Sequence, residues 1–180
     1  MIIDFTIKEL EVIVAHGTAR RMNHIFNGTR GRYGASSNPP NAWQMDIEGV
    51  LAEAAVAKHL KIPWRPAPMH AVDVGDRHQV RSTQRDNGHL FVHPEDSDNH
   101  IFWLAITMGH RVRLAGFLIG SSCKQDMFWN RKIPRPAFLV TQNQLRPATD
   151  DHATIYPVQR SDETKDAREV DAREKTGTLD

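Results

Sequence analysis

Apolar positions along this chain follow two periods, and the switch between them separates a helical first third from a strand-rich middle. From residue 6 to about 27 the spacing predicts a helix. Thr6 can cap it, Glu9 stands three residues on as in a capping box, and Ile7, Leu10, Val14 and Ala15 begin an apolar stripe. Residues 27 to 41, N-G-T-R-G-R-Y-G-A-S-S-N-P-P-N, read as a Gly/Pro/Ser/Asn loop. A second helix is predicted from about 42 to 60, ended by Ile62-Pro63. At about 100° per residue, the surface neighbours of Glu53 are Gly49, Val50, Val56, Ala57 and Leu60, so Glu53 falls on the apolar stripe. Glu48, Lys58 and His59 fall away from it. A carboxylate on a core-facing stripe is costly unless paired, protonated or bound to a metal.

After Pro63 the period becomes two. Strands are predicted at 70–74, 78–85, 89–93, 100–107 and 111–119, with a hairpin turn at Asp86-Asn87-Gly88 and a polar turn from Glu95 to His100. A short helix is expected within 121–132, a strand at 137–141 and a helical turn near 143–145. No internal repeat is visible. This order predicts one α+β domain over residues 1–150, with helices packed on a mixed, mainly antiparallel sheet of four or five strands. From about 150 the chain is charged and nearly free of large apolar residues, so 151–180 is expected to be a disordered or partly helical tail.

Composition narrows the class. With 180 residues, 39% hydrophobic and 25% charged, and a mean hydropathy of −0.52, the chain reads as a soluble globular protein. No apolar run suits a membrane, and Asp4 and Glu9 interrupt any secretion signal at the N-terminus. The lone Cys123 excludes an internal disulfide and a cysteine-rich zinc module, and a reducing cytoplasmic setting is the default. The net charge of +1 is uneven: 5 of the 23 Lys/Arg and 8 of the 22 Asp/Glu lie from Asp151 onward, which leaves about +4 on the preceding part. The basic pairs Arg20/Arg21, Arg30/Arg32 and Arg111/Arg113 suit a polyanionic partner, or are solvated surface.

Candidate chemistry centres on D-V-G-D-R-H-Q-V-R-S-T, residues 73 to 83. Gln79, Arg81 and Thr83 share one face of the predicted strand and Val80 and Ser82 the other. If Asp73 lies beside Gln79, and the second helix packs on this sheet, then Glu53, Asp73 and Gln79 converge as oxygen donors with Arg81. Hard divalent ions such as Mg²⁺ or Mn²⁺ bind such sets.

This arrangement resembles the PD-(D/E)XK nuclease-like superfamily, in which a helix glutamate, an Asp at a strand end and (E/Q)-x-K on the next strand of a hairpin share one site. The matching residues are Glu53 in G-V-L-A-E-A-A-V-A-K-H-L, Asp73 in A-V-D-V, and Gln79-Val80-Arg81, over roughly residues 42 to 120. The resemblance implies a restriction-endonuclease-like fold and Mg²⁺- or Mn²⁺-dependent hydrolysis of DNA phosphodiesters. It makes Glu53, Asp73, Gln79 and Arg81 the catalytic set, and Glu53, Asp73, Gln79 and the Val80 carbonyl the metal ligands. Arg20, Arg21, Arg30 and Arg32 then position the nucleic-acid backbone. It also suggests a bacterial or phage source, with a cytoplasmic location (the host's, if phage-encoded), and leaves a homodimer open. Two residues depart from the pattern. Gln79 removes a negative charge, and Arg81 stays protonated and cannot act as a general base, although it can hold a phosphate.

The alternatives are a catalytically degenerate module of the same fold that binds nucleic acid or a protein partner, and a scaffold or inhibitor using the acidic tail. Asp73 capping a turn at Gly75, with Gln79 and Arg81 on a solvated face, is the bland reading of the same residues. His89 and His93 share a strand face but stand about 13 Å apart, too far for one ion without a third element such as His100. Cys123 near His110 lacks a third partner for a nucleophile, and Trp43, Trp64, Trp103 and Trp129 read first as packing residues.

Overall fold

Helix α2 runs from Ala42 to Leu60, and every residue from 50 to 57 along it is buried, because it lies between a second helix and a sheet. The computed structural model describes residues 1–27, 39–66 and 71–149. In chain order the elements are β1 (Ile2–Asp4), α1 (Ile7–Phe26), α2, β2 (His78–Thr83), β3 (Leu90–Val92), β4 (Ile101–Met108), β5 (Arg111–Ile119), α3 (Gly120–Cys123), β6 (Trp129–Asn130) and β7 (Ala137–Val140). Single 3₁₀ turns occupy Asp126–Phe128 and Gln142–Gln144. The class is α+β. No helix among the described residues is long and apolar enough to cross a membrane.

The capping box forms as expected: Thr6 Oγ1 accepts from the Glu9 amide at 3.3 Å, and Glu9 Oε2 accepts from the Thr6 amide at 2.7 Å. The buried face of α1 is not the expected stripe, however. Ile7 and Val14 are exposed, and Ile13, Gly17 and Arg21 are buried. Gly17 explains the rotation. A Cβ placed there would lie 2.6 Å from the Ile47 Cα, so at Gly17, between Ile13 and Arg21, α1 approaches α2 too closely for any side chain.

The expected single sheet is two sheets. The first is mixed and four-stranded, in the order β1-β5-β4-β2, with β2 parallel to β4 and the other pairs antiparallel. The second is antiparallel, in the order β3-β7-β6. Asp86-Asn87-Gly88 therefore does not close a hairpin between β2 and β3. It is a turn that carries the chain from one sheet to the other, held where Gln142 Nε2 donates to the Asp86 and Gly88 carbonyls at 2.7 and 3.0 Å. The 70–74 strand is also absent where described. Residues 71–74 run back along β2 with one bridge, Val74 to His78. The helix expected in 121–132 shrinks to α3 and one 3₁₀ turn before β6 begins.

These sheets place α2 on one side of β4 and the second sheet, β3, β7 and β6, on the other. Trp103, fully buried, meets His59 of α2 at 5.5 Å and donates its indole N–H to His78 Nδ1 at 3.0 Å. Its neighbours Phe102 and Leu104 pack instead with Leu90, Val92, Val140 and Cys123.

Candidate functional site

Glu53 sits where its helical phase put it, on the buried face of α2, only 5% exposed. Its counter-charge comes from α1. One turn beyond the Gly17 contact, Arg20 reaches across and donates from Nη1 to Oε1 at 2.8 Å and from Nη2 to Oε2 at 2.9 Å. Gly49, one turn before Glu53, lies beside this fork, and a Cβ there would make an ordinary contact with Arg20 Nη1 at 3.5 Å. Burial pushes the Glu53 carboxyl above the usual carboxylate range, Arg20 pulls against it, and the negative charge of Asp73 adds to the rise. Burial alone would lower Arg20, but Glu53, with Asp73 and Asp46 behind it, leaves the guanidinium a stronger cation than usual. Of these influences on Glu53, that of Asp73 is the smallest.

Asp73 lies in the segment that runs back along the outer edge of β2, where its Oδ2 accepts the Val80 amide at 2.7 Å. Gln79 and Arg81 share the face of β2 that carries Phe102 on β4, not the face under α2. Arg81 spans that face. Its Nη2 donates to Asp96 Oδ2 at 2.9 Å, its guanidinium carbon lies 5.2 Å from the centre of the Phe102 ring, and its Nη1 is 3.5 Å from Gln79 Oε1 and 3.4 Å from the Val80 carbonyl. Asp96, buried at 8% exposure, also accepts the His93 amide at 2.9 Å. Lys124 ties the same turn down through the Pro94 carbonyl at 2.9 Å, the Asp96 carbonyl and Asp98 at 2.7 Å.

The four expected metal ligands do not form a ready cradle. Both Glu53 oxygens face Arg20, an Asp73 oxygen faces the Val80 amide, and the Gln79 and Val80 oxygens face Arg81. Among the described residues no three His, Cys, Asp or Glu side chains are placed to share an ion. Mg²⁺ and Mn²⁺ need oxygens converging on one point. Here guanidinium groups and, at Asp73, a backbone amide stand against those oxygens, so the residues as arranged do not fit a preformed ion.

Arg20 and Arg21 do not present themselves to a phosphate backbone. Arg20 is engaged by Glu53, and Arg21 is 4% exposed with Nη1 3.8 Å from Asp46 Oδ2. Helix packing turned both inward, which corrects the reading of that pair as a contact surface. Arg30 and Arg32 lie outside the described residues. Cys123 is fully buried, and burial, with the Asp96 charge beside it, pushes its thiol up to about 12, far from a nucleophile. Asp96 is the functional-looking residue that the sequence hides, because E-D-S-D-N-H has the composition of a solvated turn.

Comparison with protein-family models, with curated proteins and with solved structures returns no match.

Proposed function

We propose that this chain is a nuclease-like protein, on a restriction-endonuclease-like scaffold, that holds nucleic acid without a preformed divalent-ion centre. The observation that carries the reading is the fork of Arg20 on both oxygens of Glu53, which satisfies a buried carboxylate with the protein's own cation. The nuclease-like part is supported by a buried helix glutamate and by an Asp bonded to the strand that bears Gln79-Val80-Arg81. Arg81 fits the same reading. It is permanently protonated and paired with Asp96, so it supplies no base for activating water.

The test is binding and cleavage measured together. The protein is expected to bind DNA in EDTA with salt-sensitive affinity, and to bind equally well as Asp73→Asn. Linear and circular DNA are expected to survive incubation with Mg²⁺ or Mn²⁺. A second reading is hydrolysis of DNA phosphodiesters with Mg²⁺ or Mn²⁺ at Glu53, Asp73, Gln79 and the Val80 carbonyl, favoured by the buried position of Glu53 on α2. It requires Arg20 to release Glu53. Metal-dependent cleavage that Asp73→Asn abolishes would establish it, and a protein that neither binds nor cuts would remove both.

A further inference from the structure

If nucleic acid is held, Arg20 and Arg21 are not what holds it, and the structure offers a different place. A cleft of about 650 Å³ opens on the second sheet, lined among others by His89, Met127, Phe128, Trp129, Arg131 and Lys132. Among the described residues that line it, none is acidic. We infer that this cleft binds single-stranded nucleic acid, with a base stacked at Trp129 and backbone phosphates at Arg131 and Lys132.

Three observations support the inference. First, two adjacent cations here keep their charge for an external anion, as Lys8, Lys61, Arg65 and Arg85 do singly elsewhere, whereas others are neutralised within the fold. Arg20, Arg81, Arg113, Lys124 and Arg135 are each held by a carboxylate, of Glu53, Asp96, Asp86, Asp98 and Glu95 respectively. Arg131 and Lys132 are exposed and make no ion pair with a described residue. Second, their backbone is fixed. The Asn130 side chain accepts the Lys132 amide at 2.8 Å, and β6 is paired to β7 through Trp129–Phe138 and Asn130–Ala137, so the two cations leave an anchored turn. Third, apolar surface lies open beside them. Met127 is 71% exposed, and Trp129 is half-buried with its ring braced by Phe138 at 4.7 Å. Aromatic faces next to unpaired cations are what an unstacked base and its phosphates require. A duplex keeps its base faces covered, and an acidic peptide would leave the indole unused.

This inference rests on the nucleic-acid reading above, and one experiment separates them. Fluorescence anisotropy of a labelled oligothymidylate of about a dozen nucleotides is followed in EDTA over a salt series. The proteins compared are the full chain, Trp129→Leu, Trp129→Ala and the double variant Arg131→Ala/Lys132→Ala, with circular dichroism confirming the fold of each. Both tryptophan variants are expected to weaken binding about tenfold or more. Loss of two phosphate contacts is expected to lower the slope of log K against log salt by about 1.4. The double variant changes only exposed side chains, so it stays informative if Trp129→Ala does not fold. Unchanged affinity and slope in the double variant would overturn the cleft while leaving nucleic-acid binding elsewhere intact. A wild-type chain that binds no oligomer removes both readings. Equal competition by polyglutamate, or preference for duplex over single strand, would overturn the assignment to single strands.

Discussion

Arg20 and Arg131 are the same side chain in two opposite settings. Arg20, beneath the packed helices, spends its fork on Glu53 and retains a quarter of its surface. Arg131, beside β6, stands in solvent with no acidic neighbour lining its cleft. In the sequence the two regions look equally basic, since Arg20-Arg21 and Arg131-Lys132 are each an adjacent pair. Packing at Gly17 turned the first pair toward Glu53 and Asp46. Capacity for an external anion therefore follows from where the counter-charges lie, not from how many cations stand together.

The comparison predicts unequal costs for equal substitutions. Arg20→Ala strands a buried carboxylate and is expected to lower stability at neutral pH by about 3 kcal/mol, read from urea unfolding. Glu53 already has a raised folded pKa, so its protonated form prefers the fold; stability is kept at or below the unfolded value near 4.5 and is lost as pH rises above it. The Arg20→Ala deficit should accordingly shrink on acidification, and the pair Arg20→Leu/Glu53→Leu should recover most of it. A deficit that is flat with pH would mean that Glu53 is not what Arg20 neutralises.

Arg81→Ala removes a charged partner from buried Asp96 and is expected to cost about 2 kcal/mol, again by denaturant. Glu9→Gln should cost less, because Lys58 and Glu9 are both more than a third exposed and solvent screens them. Hydrogen bonds from Lys58 and Thr6 hold Glu9 down at about 2, so its contribution is present above pH 4.5 and fades as pH falls toward 2. Melting curves of wild type and Glu9→Gln should therefore converge in acid. Arg131→Ala/Lys132→Ala comes last, at no more than about 0.5 kcal/mol, since nothing in the fold leans on either side chain. A large loss there would erase the contrast with Arg20.

Much of the local structure was legible. The 42–60 helix, the Thr6–Glu9 cap and the 111–119 strand stand where spacing put them, because each is fixed by neighbours in sequence. What lay hidden was pairing. Period-two patterns state which face a residue takes, not which strand lies beside it, so β2 was assigned to β3 when it pairs with β4. Asn87-Gly88 is a true turn signal, and a turn serves a sheet change as well as a hairpin. In the candidate site, helical phase identified Glu53 as buried, and the position of Asp73 just before β2 put it beside that strand. The partners were out of reach, since Arg20 is 33 residues from Glu53 and Asp96 is 15 from Arg81, with nothing local to join them.

The bond from the Val80 amide to Asp73 has one more effect. β2 is the outermost strand of its sheet, partly covered by residues 71–74, and a strand rim left bare invites another chain to add a strand of its own. Asp73 occupies a donor on this rim and so acts as a gatekeeper against self-association. Truncating it to alanine would unmask the rim and encourage clumping, which an assay would misread as lost chemistry. Asparagine retains an acceptor there and discards only the charge, so it is the substitution that tests the carboxylate alone.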